Sequence, residues 1–149
     1  MKVLNLPEYK CVLQKRNGKL TIFDPIRKKY IILTPEEWVR QHFIHYLVEY
    51  LNYPKSLIKV ESGLQYNQLS KRSDILIYDR KPRPLMLVEC KSYDVKIVKE
   101  TFEQAAMYNH TLSAKYIVLT NGMEHWCCEI EPRGLRMMES IPAYEELFD

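Results

Sequence analysis

Two apolar runs joined by a six-residue polar connection constrain this chain more than any other feature. One is Asp74-Ile75-Leu76-Ile77-Tyr78; the other is Leu85-Met86-Leu87-Val88-Glu89-Cys90-Lys91; between them stands DRKPRP, with two prolines. Runs of this length bounded by turn residues read as neighbouring antiparallel strands. Side chains alternate along a strand, so Leu85, Leu87, Glu89 and Lys91 share one face, and Asp74, Leu76 and Tyr78 share a face of the partner. If Tyr78 lies opposite Leu85, the two numbers sum to 163, and 74 and 89 give the same sum. Asp74 then faces Glu89, with Cβ atoms about 4.5–5.5 Å apart. Like charges opposed across a sheet are unfavourable unless something cationic stands between them. A core strand that ends in Glu-x-Lys against an aspartate is therefore built around a charge.

The remaining chain frames that pair. CVLQKRNGKLTIFD holds two alternating runs around Asn17-Gly18, a strong two-residue hairpin signal, and a third short strand follows at KYIIL. Thr34 and Pro35 open a helix over TPEEWVRQHFIHYLVEYL, with Thr34 as N-cap, Glu37 completing a capping box, and Val39, Phe43, Leu47 and Leu51 as the buried stripe. It ends before Pro54. A strand over 57–66 around Ile58 and Val60 precedes the pair. A helix within VKIVKETFEQAAMYNHTL follows it, then a strand at KYIVLT, a turn at Asn121-Gly122 and a last strand at EHWCCEI. IPAYEELFD adds a short helix. The fold class is α/β (α+β): a mixed sheet with helices packed on it. The expected organisation is one domain over 1–149, with a hairpin extension at 1–33, a core at 34–130 and a tail at 131–149.

Composition fits a soluble globular protein: hydrophobic residues make up 46% and charged residues 28%. No apolar run approaches the roughly 18 residues a membrane helix needs, and MKVLNLPEYK lacks a signal-peptide pattern, so the expected location is the cytoplasm. The four cysteines match neither a paired zinc site nor a disulfide framework. His125 beside Cys127 and Cys128 suggests metal ligands at most weakly, since HWCCEI reads as a strand whose cysteines are small hydrophobes. The net charge of +3 is compatible with nucleic acid and too mild to argue for it. Basic residues cluster at Arg27-Lys28-Lys29, at Lys71-Arg72, at Arg80-Lys81 with Arg83, and along Lys91, Lys96 and Lys99, where solvated loop charge explains most of them.

For the cation between Asp74 and Glu89, magnesium suits oxygen donors and takes one or two carboxylates, retained waters and substrate phosphates. Such an ion makes a nucleophile from water and offsets charge on a phosphate, and Lys91 stands one alternate step away to position that water or steady the phosphorus. The competing reading is a solvated strand-end salt bridge of Lys91 with Asp74 or Glu89, worth little.

The motifs SD at 73–74, ECK at 89–91 and QAAMY at 104–108 resemble the PD-(D/E)xK nuclease superfamily, and more closely the N-terminal nuclease domain of type I restriction enzyme R subunits and its stand-alone relatives. The resemblance runs from about Thr34 to Asn121. It implies a restriction-endonuclease-like core in the order αβββαβ, a place in restriction-modification, and phosphodiester hydrolysis in DNA supported by Mg2+, with Mn2+ able to substitute. Asp74 and Glu89 would hold the metal, with the backbone carbonyl of Cys90 as a further ligand, and Lys91 would be the catalytic lysine. Gln104 and Tyr108, four apart on one helix face, would contact the DNA backbone or support the site. A first-helix glutamate often joins such sites. Both Glu36 and Glu37 fit here, with Glu37 preferred, and Arg40 one turn later would balance it or touch phosphate. Lys71 and Arg72 would add phosphate contacts, which position DNA without reading its sequence.

Two departures qualify the resemblance. Ser73 stands where proline is usual, at a position without chemistry. These 149 residues also carry no P-loop or helicase, so a separate helicase/translocase or specificity subunit is an expected partner, and a homodimer is in keeping with double-strand cutting. Two rival readings are a catalytically weak DNA-binding or assembly subunit of the same fold, and a structural protein whose Asp–Glu–Lys cluster is only a salt bridge.

Overall fold

The computed structural model describes residues 1–61 and 74–148, with the side chains of Glu61, Asp74, Tyr108 and Thr111 outside that description. Three strands come first: β1 (Leu13–Arg16), β2 (Lys19–Asp24) and β3 (Lys29–Ile32). They form an antiparallel sheet in the order β1-β2-β3, and Arg16 lies opposite Lys19 across the Asn17-Gly18 turn. Both turn residues have positive φ, 50° and 76°, the geometry for which this dipeptide is favoured.

Helix α1 (Pro35–Glu49) begins where expected, with the Thr34 hydroxyl accepting from the Glu37 amide. Only half of the anticipated capping box forms, because the Glu37 carboxylate is taken by arginine side chains. Val39, Phe43 and Leu47 are fully buried as the spacing requires, and Ile44 joins them. After a single turn of 3-10 helix at Lys55–Leu57 come β4 (Ile58–Glu61), β5 (Asp74–Tyr78) and β6 (Pro84–Cys90). The rest of the strand expected over 57–66 lies outside the described residues.

Helix α2 (Lys99–Leu112) starts four residues later than the first residue of its expected span. Val95, Ile97 and Val98 are β-branched and resist helical rotamers. Ile97 is instead buried from the loop, and Val98 is extended at the N-cap. Then follow β7 (Tyr116–Thr120), β8 (His125–Glu131) and β9 (Gly134–Met138), with a 3-10 segment at Tyr144–Phe148. Strand β9 was not anticipated: Gly134-Leu135-Arg136-Met137-Met138 is exposed along most of its length and alternates too weakly to announce itself.

The second sheet is mixed, in the order β4-β5-β6-β7-β8-β9, and among its described strands only β6 and β7 run parallel, joined by α2. Its two faces carry separate cores. Val39, Phe43 and Leu47 of α1 pack against Ile75, Ile77, Met86, Val88, Tyr116 and Val118. On the other face Ala105 and Phe102 of α2 meet Ile117, Leu119 and Cys128, while Leu112 meets Leu76 and Leu87. The start of α2 thus lies over the carboxyl ends of β6 and β7, and its last turn over their beginnings. The chain is α+β, in the element order α, three strands, α, strand that the sequence indicates. Among the described residues no helix is long and apolar enough to cross a membrane.

The N-terminal residues latch the turn between β7 and β8. The Asn5 amide donates to the Gly122 carbonyl at 2.8 Å, His125 Nε2 contacts the Asn5 carbonyl at 2.9 Å, and the Trp38 indole donates to the Lys2 carbonyl at 2.9 Å. Gly122, at φ +85°, has Leu4 so close that an added Cβ would stand 2.8 Å from its Cδ2.

Candidate active site

The charged end of β6 is set by pairing on both sides. Against β5 the partners are Asp74↔Glu89, Ile75↔Val88, Leu76↔Leu87 and Ile77↔Met86, so the facing aspartate and glutamate follow from the register. At the turn end the register slips between Ile77 and Tyr78, and Tyr78 lies opposite Pro84 instead of Leu85. The cause is the compact turn. The Asp79 amide donates to the Arg83 carbonyl, and the Asp79 carboxylate accepts from the amides of Lys81 and Arg83 and from Arg83 Nε. This closes the loop one residue short, and the irregularity absorbs the difference before the charged end is reached.

Against β7 the pairing is parallel, Glu89↔Leu119 and Cys90↔Thr120, and the Lys91 amide donates to the Thr120 carbonyl at 2.8 Å. Lys91 is thereby held as a continuation of the strand, and its side chain returns to the face of Glu89. The ammonium stands 3.6 Å from Glu89 Oε2; the glutamate side chain is 2% exposed and the lysine 25%. A buried carboxylate thus lies beneath a partly exposed cation at the mouth of the strand end. Asp74 has its backbone in register here. Among the described residues no three histidine, cysteine, aspartate or glutamate side chains gather as a metal cluster. The donors that the register brings to this point are two carboxylate positions and the main chain at Cys90.

Glu37 and Arg40 form an ionic network at the start of α1. Glu37 Oε2 accepts from Arg27 Nη2 and from Gln41 Nε2, both at 2.8 Å, and its Oε1 pairs with Arg40 Nη1. Arg40 Nη2 meets Glu36 Oε1 at 2.8 Å, and Arg27 Nε meets Asp24 Oδ2 at 2.5 Å. The result is an ionic chain from the end of β2 through the first turn of α1, with Asp24, Glu37 and Arg40 buried. Burial opposes the charge on Arg40, but Cys90, Glu37 and Glu36 outweigh it and hold the guanidinium above its ordinary value. Cys90 alternates with Glu89 and Lys91 and packs in the α1-side core. Arg40 is thus electrostatically linked to Cys90, the residue between Glu89 and Lys91. Glu36 is likewise committed to Arg40.

The other expected contacts divide by position. Gln104 is exposed on α2, and Tyr108 follows one turn later on the same helix. Lys71 and Arg72 lie outside the described residues. Lys96 and Lys99 are exposed in the loop and first turn beyond Lys91, at the site end. Arg80, Lys81 and Arg83 sit in the β5–β6 turn, at the opposite end of those strands from Asp74 and Glu89, roughly 15 Å away by strand rise.

One set of residues was not singled out from the sequence for this role. Asn121 Nδ2 donates to the Val95 carbonyl, pinning the loop after Lys91, while its Oδ1 accepts from the amides of Met123 and Glu124. Thr120 Oγ1 lies 2.7 Å from His125 Nδ1 and accepts from the Gly122 amide. With Nε2 against the Asn5 carbonyl, His125 donates through Nε2 and accepts the Thr120 hydroxyl at Nδ1. Burial pushes its basicity below the ordinary value, which suits this neutral form. The signal for these contacts was the Asn121-Gly122 turn, read only as a turn.

A family model described as Type I restriction enzyme R protein N terminus (HSDR_N) matches residues 35–142, which takes in both helices and the whole six-stranded sheet. No curated protein matches the chain.

Proposed function

The chain belongs to the family of the type I restriction enzyme R protein N terminus, and from that premise we propose that it is a divalent-metal-dependent nuclease domain hydrolysing phosphodiester bonds in DNA. The observation that carries this reading is the opposition of Asp74 and Glu89 across β5 and β6, with the Lys91 ammonium 3.6 Å from the glutamate. Two hard carboxylates with a main-chain carbonyl at Cys90 fit magnesium, which keeps several waters and leaves room for a phosphate; manganese would substitute. Magnesium, when bound, supplies an activated water and offsets charge on the phosphate.

The chain's own groups do the rest. Glu89 and Asp74 would hold the ion. Lys91, partly exposed and anchored by its amide, presents its ammonium to a phosphate at the mouth, where charge developing in the transition state is stabilised by a donor already in place. Gln104 and Tyr108 on α2, with Lys96 and Lys99 ahead of them, would track the DNA backbone by phosphate contacts that position without specifying. Arg40, electrostatically linked to Cys90 and held by Glu36 and Glu37, would steady the charge balance at this strand end. A separate motor or specificity protein would deliver the DNA.

The test is plasmid cleavage with magnesium or manganese, wild type beside Asp74→Ala and Lys91→Ala. Nicking or linearisation that EDTA and both substitutions abolish is the expected result. Silent wild type that still binds manganese by calorimetry, with binding lost in Asp74→Ala, would leave a weakly active binding subunit. No binding at all would reduce the cluster to a salt bridge.

A further inference from the structure

We propose that a pocket between α1 and the β2–β3 turn holds one small neutral aromatic molecule, which donates a single hydrogen bond to Gln41 Oε1. The pocket has a volume of about 160 Å3. Gln41, Ile44, His45 and Val48 form its α1 wall, on one helical stripe, and Tyr9 and Pro25 close it from the N-terminal part of the chain. Gln41 makes it more than an apolar recess. This residue is 1% exposed, and its Nε2 donates to Glu37 Oε2 at 2.8 Å. A carboxylate already paired with arginines only accepts, so the amide cannot be turned over and Oε1 points away from Glu37. Glu37 lies one turn before Gln41, whereas the other α1 residues of the pocket lie after it, so the oxygen is turned to the pocket side. Among the described residues it has no hydrogen-bond partner. A buried acceptor without a donor is costly, and a guest that brings an N–H or O–H relieves that cost.

The walls select the rest of the guest. Tyr9 stacks on His45, with ring centroids 4.5 Å apart and planes 13° from parallel, and meets His42 edge-on at 4.9 Å. A fixed aromatic wall facing Pro25, Ile44 and Val48 favours a flat apolar body. The volume is that of one ring, since a cavity of roughly 150 Å3 takes up benzene. Charge is not provided for. Glu37, bonded to the Gln41 amide, is already matched by Arg27 and Arg40. Burial, with Cys11, Asp24 and Glu37 nearby, holds the Tyr9 phenol above its ordinary range and so keeps it neutral. A nucleobase carries several donors and acceptors on its rim and would bury most of them unpaired, which sets this site apart from DNA binding.

Methyl NMR of the full chain, titrated with phenol and separately with toluene, tests this independently of any cleavage assay. The two probes share a shape, and phenol alone can donate. Phenol should move the Ile44 and Val48 methyl signals saturably, with a Kd of about 1 mM, and bind about tenfold more tightly than toluene. Gln41→Met keeps the bulk of the side chain without its acceptor and should reverse that preference. Val48→Phe, at a half-buried position, fills the pocket and should abolish both titrations while circular dichroism shows the fold retained. Phenol that leaves the Ile44 and Val48 signals in place overturns the proposal, and so does toluene binding wild type as tightly as phenol. Phenol binding that persists in Val48→Phe, or a preference that Gln41→Met leaves unchanged, does the same. Should Gln41→Met fail to fold, the wild-type comparison and Val48→Phe decide the matter.

Discussion

The two sheets of this protein follow opposite rules. In β1–β3 polar residues are ordinary: all four residues of β1 are exposed, and Gln14, Lys15 and Arg16 face water. In β6 and β7, flanked by strands on both edges and by α1 and α2 on the faces, every residue from Leu85 to Cys90 and from Tyr116 to Thr120 is buried. A charge on the open strand β1 costs little and so means little, whereas Asp24 at the buried end of β2 needs its arginine. In the second sheet a charge must be offset by a partner, which is why Glu89 is informative and Lys15 is not. A charged residue becomes evidence of function to the degree that its surroundings make it expensive.

That contrast can be broken by experiment. The largest separation is expected in activity: Lys91→Ala should lower cleavage by about 10²–10³-fold, the scale for losing one preorganised charge-stabilising donor. Lys15→Ala should leave the rate within about twofold, and thermal melts should show both variants folded. Next comes Glu37→Ala, which removes a shared partner from the buried Arg40 and the partly buried Arg27. A loss of about 3–5 kcal/mol in urea unfolding is expected. Its size would show how much stability the ionic chain at the start of α1 carries. Leu119→Ala, in the fully buried β7, should cost about 2–5 kcal/mol, against no more than about 0.5 for Leu20→Ala on the half-exposed β2. Equal losses would erase the distinction between the sheets.

The smallest effect concerns pH. Burial holds His125 and His42 below their ordinary basicity. Both are therefore neutral in the folded state while the unfolded chain takes up protons below about pH 6.5. Their contribution to stability is complete above that value and is lost as the pH falls. The melting temperature should decline from pH 7 toward 5, with a shallower slope in His125→Gln.

The register of the candidate site was legible because a strand fixes its pairing by arithmetic. The opposition of Asp74 and Glu89 survived even though its assumed anchor, Tyr78 against Leu85, was displaced to Pro84 by the Asp79 turn. Hydrogen-bonded turns change local length, and a bulge confines that change to a few residues. The capping box at Glu37 was half right for a different reason. Local sequence shows that a carboxylate at that position suits a helix start, but not that Arg27 and Arg40 compete for it. Strand β9 escaped because an exposed edge carries little of the alternation that burial imposes, and α2 began late because Ile97 gains more from the core than from a first helical turn.

The latch formed by residues 2–5 has a further consequence in time. The Asn5 amide is bound to Gly122, the Asn5 carbonyl to His125, His125 to Thr120, and the Thr120 carbonyl to the Lys91 amide. Hydrogens at Asn5 and Lys91 belong to segments far apart in sequence, yet each can exchange with solvent only when its side of this chain opens. If the links open together, the two amides should exchange at a common rate, and a substitution that frees the first segment, such as Gly122→Val, should quicken exchange at Lys91 as well. The tempo of the backbone at Lys91 would then be set from the first five residues of the chain.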